Sequence, residues 1–290
     1  MSVLKLEGVS YVYGAGTPFA VEALKDIDIE FGENRITGII GHTGSGKSTL
    51  ARLLNGLEKP AKGKVLIDGR DIWENPKAIG KIRNRVGLVF QYPEYQLFEE
   101  TVYKDIAYGP SNLGKSQEEI KRLVTSAAEF TGLTAELLER SPFDLSGGQK
   151  RRAAIAGVIA MDPDVIVFDE PAAGLDPRGR EDILSGIKRY QQSQKKTVIL
   201  ISHSMEDMAR YADELVVMKK GTICLSGTVS EVFRHTDMIT GSGLAVPRIT
   251  ELMQMLKSAG YPVSGSVYTV DEAVREIVSA AKKARGISAD

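Results

Sequence analysis

Thiol chemistry is all but missing from this chain of 290 residues, in which Cys224 stands alone. One cysteine excludes an intrachain disulfide and suits a reducing compartment. Cys224 lies in the apolar stretch TICLSG with nothing beside it to activate a thiolate, so a structural role is expected. An excess of either charge is missing too: 37 Lys and Arg against 38 Asp and Glu leave a net charge of −1. Bulk nucleic-acid binding shows as a basic surplus, and no nucleic-acid partner is expected. Long apolar runs are also lacking. The longest, AAIAGVIAM from Ala153 to Met161, falls far short of the ~20 residues of a membrane span. The opening MSVLKLEGVS has no basic stretch ahead of a long apolar one, so no signal peptide is expected. Aromatics make up only 7% of the chain, yet FQYPEYQLF, Phe90 to Phe98, crowds four into nine residues with a proline, a glutamate and two glutamines. A chain this long buries roughly three quarters of its unfolded surface and needs no metal or disulfide staple.

The residues that are present spell an α/β protein. LKDIDIEF sets Leu24, Ile27, Ile29 and Phe31 among polar residues, the mark of a half-buried strand. RITGII is an apolar strand running into a glycine-rich loop and then a helix striped by Leu50, Leu53, Leu54 and Leu57, loosened by Asn55-Gly56. Thr101 to Arg140 reads as helical. DVIVFDEP and KTVILISHS are continuous apolar runs parted by helical text, as expected of parallel strands buried on both faces. Composition shifts after about Phe233, giving an expected division into residues 1–233 and a small helical unit, 234–290, whose second helix is expected to end at Gly286.

GHTGSGKS fits the phosphate-binding pattern G-x-x-x-x-G-K-[ST], and here it follows a strand and opens a helix, the context the pattern requires. Backbone N–H groups wrap the phosphates with the helix N-terminus behind them. The candidate nucleotide contacts are Gly41, His42, Thr43, Gly44, Ser45, Gly46, Lys47, Ser48 and Thr49; Lys47 reaches the β- and γ-phosphates and the Ser48 hydroxyl suits Mg²⁺. An Asp-Glu pair at a strand end is ordinarily solvated. Downstream of a phosphate loop, Asp169 becomes a candidate Mg²⁺ ligand and Glu170 a candidate general base for an attacking water.

LSGGQ, Leu145 to Gln149, between that loop and DEP, makes the chain resemble the ATP-binding-cassette ATPases over roughly residues 1–230. The resemblance implies a P-loop α/β fold with antiparallel-β and helical subdomains, followed here by a small C-terminal helical domain. It implies that Ser146, Gly147, Gly148 and Gln149 contact the γ-phosphate of ATP held by a second cassette, so that two ATPs are sandwiched between two subunits. It further implies that Gln91 senses Mg²⁺ and the attacking water, that Asp176 in AGLDP faces the partner, that His203 contacts the γ-phosphate, and that Tyr13 stacks on adenine. Lys150–Arg152 is expected to be a solvated helix face near the partner's phosphates.

FQYPEYQLFEETVYKDIAYGPSNLG is similar to one subgroup, the ATPases of energy-coupling factor importers, as are GTPF at Gly16–Phe19, DEPAAGLDP and the tail PRITELMQMLKSAGYPV. That resemblance implies an ATPase at the cytoplasmic face of the cell membrane, peripheral and powering uptake of a vitamin or transition-metal ion. Its implied partners are a second homologous ATPase, a heteromeric pair being favoured by GTPF, an integral membrane coupling protein docking near Tyr92, Tyr95 and Phe98, and a substrate-binding membrane protein. Phe90 is expected to pack internally, and the tail to be either a self-packed cap or a dimer contact. Other transporter classes, soluble cassettes acting on ribosomes or DNA, and a regulatory nucleotide binder are the competing readings. A single cassette, no inserted coiled coil, and both Glu170 and His203 in place weigh against the last two.

Overall fold

A computed structural model describes residues 2–284. The expected helix end at Gly286 lies outside the described residues. Strands β1 (Ser2–Tyr13) and β2 (Val21–Gly32) open the chain, and β3 (Ile36–Gly41) leads through the glycine loop into α1 (Lys47–Leu54). Then come β4 (Lys62–Ile67), β5 (Arg70–Asp71), α2 (Ile79–Arg85) and β6 (Val86–Val89). A helical lobe follows: α3 (Val102–Asn112), α4 (Gln117–Thr131), α5 (Ala135–Leu138) and α6 (Gly147–Ala160). The chain returns through β7 (Val165–Asp169), α7 (Pro177–Gln194), β8 (Thr197–Ile201), α8 (Met205–Tyr211), β9 (Glu214–Lys219) and β10 (Thr222–Thr228). Four helices close it: α9 (Val229–Arg234), α10 (Thr236–Gly241), α11 (Arg248–Ser258) and α12 (Val270–Ala284).

The strands form two sheets, an antiparallel one ordered β2-β1-β4-β5 and a six-stranded one ordered β10-β9-β3-β8-β7-β6. In the second, β9, β3, β8, β7 and β6 run parallel, and only β10 is antiparallel. The apolar runs are continuous because both faces of this sheet are covered. Ile36, Ile40, Ile166, Phe168, Val198 and Leu200 share a core with the helical lobe, α7 and α8, whereas Ile39, Val165, Val167, Ile199 and Ile201 share one with α1 and the antiparallel sheet. One alternating pattern thus feeds two apolar cores.

In β2 the buried residues Leu24 and Ile27 are three apart, out of step with a period of two. The register against β1 slips there, and Asp26 takes φ 47°, so a bulge restores the inward facing of Ile27 and Phe31. Helix α4 is specified locally. Ser116 and Glu119 form a capping box, Ile120, Val124, Ala127 and Ala128 make the buried stripe, and Gly132 ends the helix at φ 68°. Replacing Ser116 by Ala would cost about 1 kcal/mol through the lost cap.

The tail is joined to the main core by Ile239, Leu244, Val246 and Tyr268, the last meeting the Phe233 ring at 5.3 Å. A small separate cluster of Met253, Val263, Val267 and Ala273 holds α11 to α12.

Candidate functional site

Strand β3 ends against the glycine loop at the carboxyl edge of the parallel sheet, the edge where open α/β sheets bind ligands. Gly46 has φ 103°, and a Cβ there would fall 2.6 Å from Leu24 Cδ2 and 2.8 Å from the Ala23 carbonyl oxygen, so only glycine fits. Lys47 is just 9% exposed; its Nζ donates to the carbonyls of Gly41 at 2.6 Å and His42 at 3.0 Å. Burial lowers its pKa, opposed by the charges of Glu170 and Asp169. The Ser45 hydroxyl is buried without a hydrogen-bond partner, a polar group turned toward the loop interior. Thr43, Gly44, Ser48 and Thr49 line a cradle of about 210 Å³ together with Lys47, Gln91, Asp169 and Glu170.

Strands β7 and β8 pair with Asp169 opposite Ile201, so the residues just past each strand end are brought together. Asp169 is buried and hydrogen-bonds Ser48. Burial raises its pKa, and the Ser48 bond and the Lys47 and Arg52 charges partly offset this. Ser48 and Asp169 are adjacent hard oxygen donors, a set that fits Mg²⁺, which takes few protein ligands beside phosphate and water. Among the described residues no group of three or more His, Cys, Asp or Glu is clustered as a closed metal cage. Glu170 takes φ 54°, a left-handed conformation costly for a non-glycine residue and typical of functional sites. Its N–H donates to the Ile201 carbonyl at 3.0 Å, and its Oε2 lies 2.7 Å from Nδ1 of His203. The His203 side chain is 69% exposed and stands over a cleft of about 820 Å³ shared by His42, Lys47, Gln91 and Glu170.

Tyr13 and Tyr11 share a face of β1 and meet edge to face at 4.8 Å. The Tyr13 hydroxyl lies 3.1 Å from Thr49 Oγ1 and accepts from Arg52 at 3.3 Å, which fixes the ring beside the start of α1. Ser146, Gly147, Gly148 and Gln149 lie outside the cleft, at the exposed start of α6. Ser146 is the N-cap: its hydroxyl accepts from Gln149 N–H at 3.4 Å, and its N–H donates to Gln149 Oε1 at 2.9 Å. That leaves the hydroxyl proton free for a further acceptor. Asp176 likewise lies outside the cleft and caps α7, accepting from Gly179 N–H at 2.6 Å.

Lys150–Arg152 is not a solvated face. Arg151 is 3% exposed, forks onto Glu94 at 3.0 and 2.6 Å, donates to the Ala173 carbonyl, and stacks over the Tyr92 ring at 5.7 Å. Helix α6 packs that side of its first turn against the Pro93–Gln96 turn, and only a paired cation tolerates such burial. Nothing in KRR by itself distinguishes Arg151; its partner is 57 residues away. Of the clustered aromatics, Phe90 packs against the core beneath the antiparallel sheet. Tyr95 is 85% and Phe98 58% exposed, and Tyr92 is exposed as well. Phe98 meets Tyr108 edge to face at 4.9 Å. A second feature absent from the sequence reading is that the segment after α10, including Gly243, Val246 and Arg248, lines the cleft.

Residues 24–173 match the family described as ABC transporter. The chain is 54% identical over 275 residues to the energy-coupling factor transporter ATP-binding protein EcfA2 of Caldanaerobacter subterraneus subsp. tengcongensis, covering 95% of this chain and 96% of that protein. EcfA2 of Clostridium acetobutylicum is 49% identical over 283 residues, covering 97% and 99%. Among solved structures, cbiO1 from Clostridium perfringens, part of the ABC transporter complex cbiONQ, gives a TM-score of 0.74 at 39% identity, covering 87% of this chain and 99% of that one. The dimeric post-hydrolysis state of the cassette MJ0796, bound to ADP and Pi, gives 0.70 at 27% identity, covering 78% and 98%.

Proposed function

The chain belongs to the ABC transporter family, and from that premise we propose that it is the ATP-binding, ATP-hydrolysing subunit of an energy-coupling factor importer. Its reaction is ATP hydrolysis coupled to transport, and it works paired with another ABC ATPase and with membrane components. The observation that carries the chemical assignment is the 2.7 Å contact between Glu170 and His203 at the edge of the cleft that holds Lys47.

In the proposed mechanism the loop Gly41–Thr49 wraps the phosphates of ATP and Tyr13 stacks on adenine. Glu170 takes a proton from a water aimed in line at the γ-phosphorus. A bond forms from that oxygen to phosphorus, and the bond to the bridging oxygen breaks, releasing ADP and phosphate. Lys47 and His203 stabilise the charge that develops on the γ-phosphoryl oxygens, with His203 also holding the Glu170 carboxylate in position. A magnesium ion, held by Ser48 and Asp169 with Gln91 nearby, would neutralise phosphate charge. Ser146, Gly147, Gly148, Gln149 and Asp176 serve the ATP of the partner cassette. Their position outside the cleft of their own chain supports a role across the interface.

The cargo in this reading is a vitamin or transition-metal ion. The partners are a second, different cassette ATPase, a membrane coupling protein seated on Tyr92, Tyr95 and Phe98, and a substrate-binding membrane protein. No helix among the described residues is long and apolar enough to cross a membrane, so attachment to the cytoplasmic face would run through those partners. The C-terminal residues from 234, helical in α10, α11 and α12 among the described residues, act as one unit; exposed Val274, Ile277 and Val278 on α12 support its use as a contact between the two ATPases. The test is a mild-detergent capture of the tagged protein from native membranes. Co-purification of a second cassette ATPase with a polytopic membrane protein is expected. Recovery only in the soluble fraction, alone or with ribosomes or DNA, would refute the importer reading.

A further inference from the structure

The connector between α10 and α11 is a wall of the nucleotide cleft, and it is built into the fold. Lys219 Nζ donates to the Gly241 carbonyl at 2.6 Å, and Ser242 Oγ donates to that of Met238 at 2.7 Å. Leu244 and Val246 are buried in the main core. At the start of α11, the Arg248 N–H donates to Glu206 Oε1 at 3.4 Å, on the helix that follows His203. Between these anchors Gly243 takes φ 71°, and its backbone abuts the phosphate loop. A Cβ added there would overlap His42 Nε2 and fall 3.1 and 3.2 Å from the neighbouring ring carbons.

His42 is the point where the connector meets the lysine. Its carbonyl, with that of Gly41, accepts the Lys47 ammonium. A phosphate is the stronger acceptor for that ammonium, because both partners then carry charge. Nucleotide binding therefore competes with the bonds that hold the His42 backbone, and the His42 ring is what the tail touches.

We propose that Gly243 is a positioning residue for the nucleotide site: the connector fixes the His42 ring, sets the shape of the loop that receives the phosphates, and carries the loop's response into α11. This rests on the nucleotide reading above. Such a coupling is reciprocal: a tail that responds to nucleotide must also alter nucleotide affinity.

The test is a double-mutant cycle on the full chain, with affinity for a non-hydrolysable ATP analogue measured in the presence of magnesium. The proteins are the wild type, Gly243→Ala, His42→Ala and the double variant. The left-handed strain on alanine at position 243 is common to both backgrounds and cancels in the cycle. Gly243→Ala is expected to weaken binding about fivefold or more when His42 is present, and by no more than about twofold when it is not. An equal loss in both backgrounds would overturn the proposal. Should Gly243→Ala fail to fold, hydrogen exchange of the wild type and His42→Ala decides. The analogue is expected to protect the phosphate loop in both, but α11 in the wild type alone. An α11 that ignores nucleotide in the wild type, or responds equally without the His42 ring, overturns the relay. Absence of phosphate-loop protection in the wild type overturns the nucleotide reading and this inference with it.

Discussion

Oε2 of Glu170 and Nδ1 of His203 stand 2.7 Å apart, although 33 residues separate them in the chain. Adjacent parallel strands in register bring them together, and the left-handed turn at Glu170 aims its carboxylate across the strand ends. The backbone has accepted strain to hold that geometry. Glu170→Gln keeps the shape and removes the proposed base. ATP binding is expected to persist while turnover falls at least about a hundredfold. Near-normal turnover in a single-turnover assay would remove Glu170 from the role of general base.

Lys47 is a buried cation whose only direct partners in the loop are two carbonyl oxygens. Burial lowers its pKa, so its charged form is held at a cost that a phosphate would relieve. Lys47→Ala is expected to abolish nucleotide binding or turnover, as read by calorimetric titration and phosphate release. Full retention of both would sink the phosphate-loop reading.

Arg151 and Glu94 tie the start of α6 to the aromatic turn, and Arg151 adds a bond to the Ala173 carbonyl beyond Glu170. Arg151→Met leaves a partly buried carboxylate unpaired and is expected to cost about 3–5 kcal/mol in urea unfolding. Burial pushes the Glu94 carboxyl up, but the hydrogen bonds of Arg151 and of the turn backbone, with the Arg151 charge, hold it below its ordinary 4.5. A lowered folded value means that the stabilisation is fully present above 4.5 and is lost as acid protonates the group. The stability gap between wild type and Glu94→Gln is therefore expected to shrink as the pH falls below 4.5. A gap that stays constant into that acid range would refute the assignment.

The phosphate loop, DEP, LSGGQ and the strand-end histidine were legible because each packs its chemistry into a few consecutive residues flanked by a strand or helix. The parallel sheet was legible for a related reason: a strand buried on both faces must be apolar throughout. Arg151 was read as solvated because helical position alone does not reveal which face a lobe will cover, and Glu94 lies in a different segment. The contact of Gly243 with His42 depends on where the tail docks, which no local pattern encodes. The bulge at Asp26 shows only as a three-residue step in an otherwise alternating strand.

Tyr95 and Phe98 raise the question of what covers them. Phe98 is held by Tyr108 beside it and by its own N–H, which donates to Asp105 at 3.2 Å, so it is exposed in a fixed position rather than on a loose loop. Tyr95 is still more exposed, and it sits in the Pro93–Gln96 turn that Arg151 pins to α6 through Glu94. Fixed, exposed aromatics present large apolar area at low entropic cost, which suits a helix from another chain. Of the candidate site residues, the one next to them in the chain, Gln91, lies upstream of both. Tyr95→Ala with Phe98→Ala is therefore expected to release the protein from membranes while sparing its basal ATP hydrolysis, as read by vesicle co-sedimentation and phosphate release. Unchanged association would return both side chains to ordinary packing of the helical lobe.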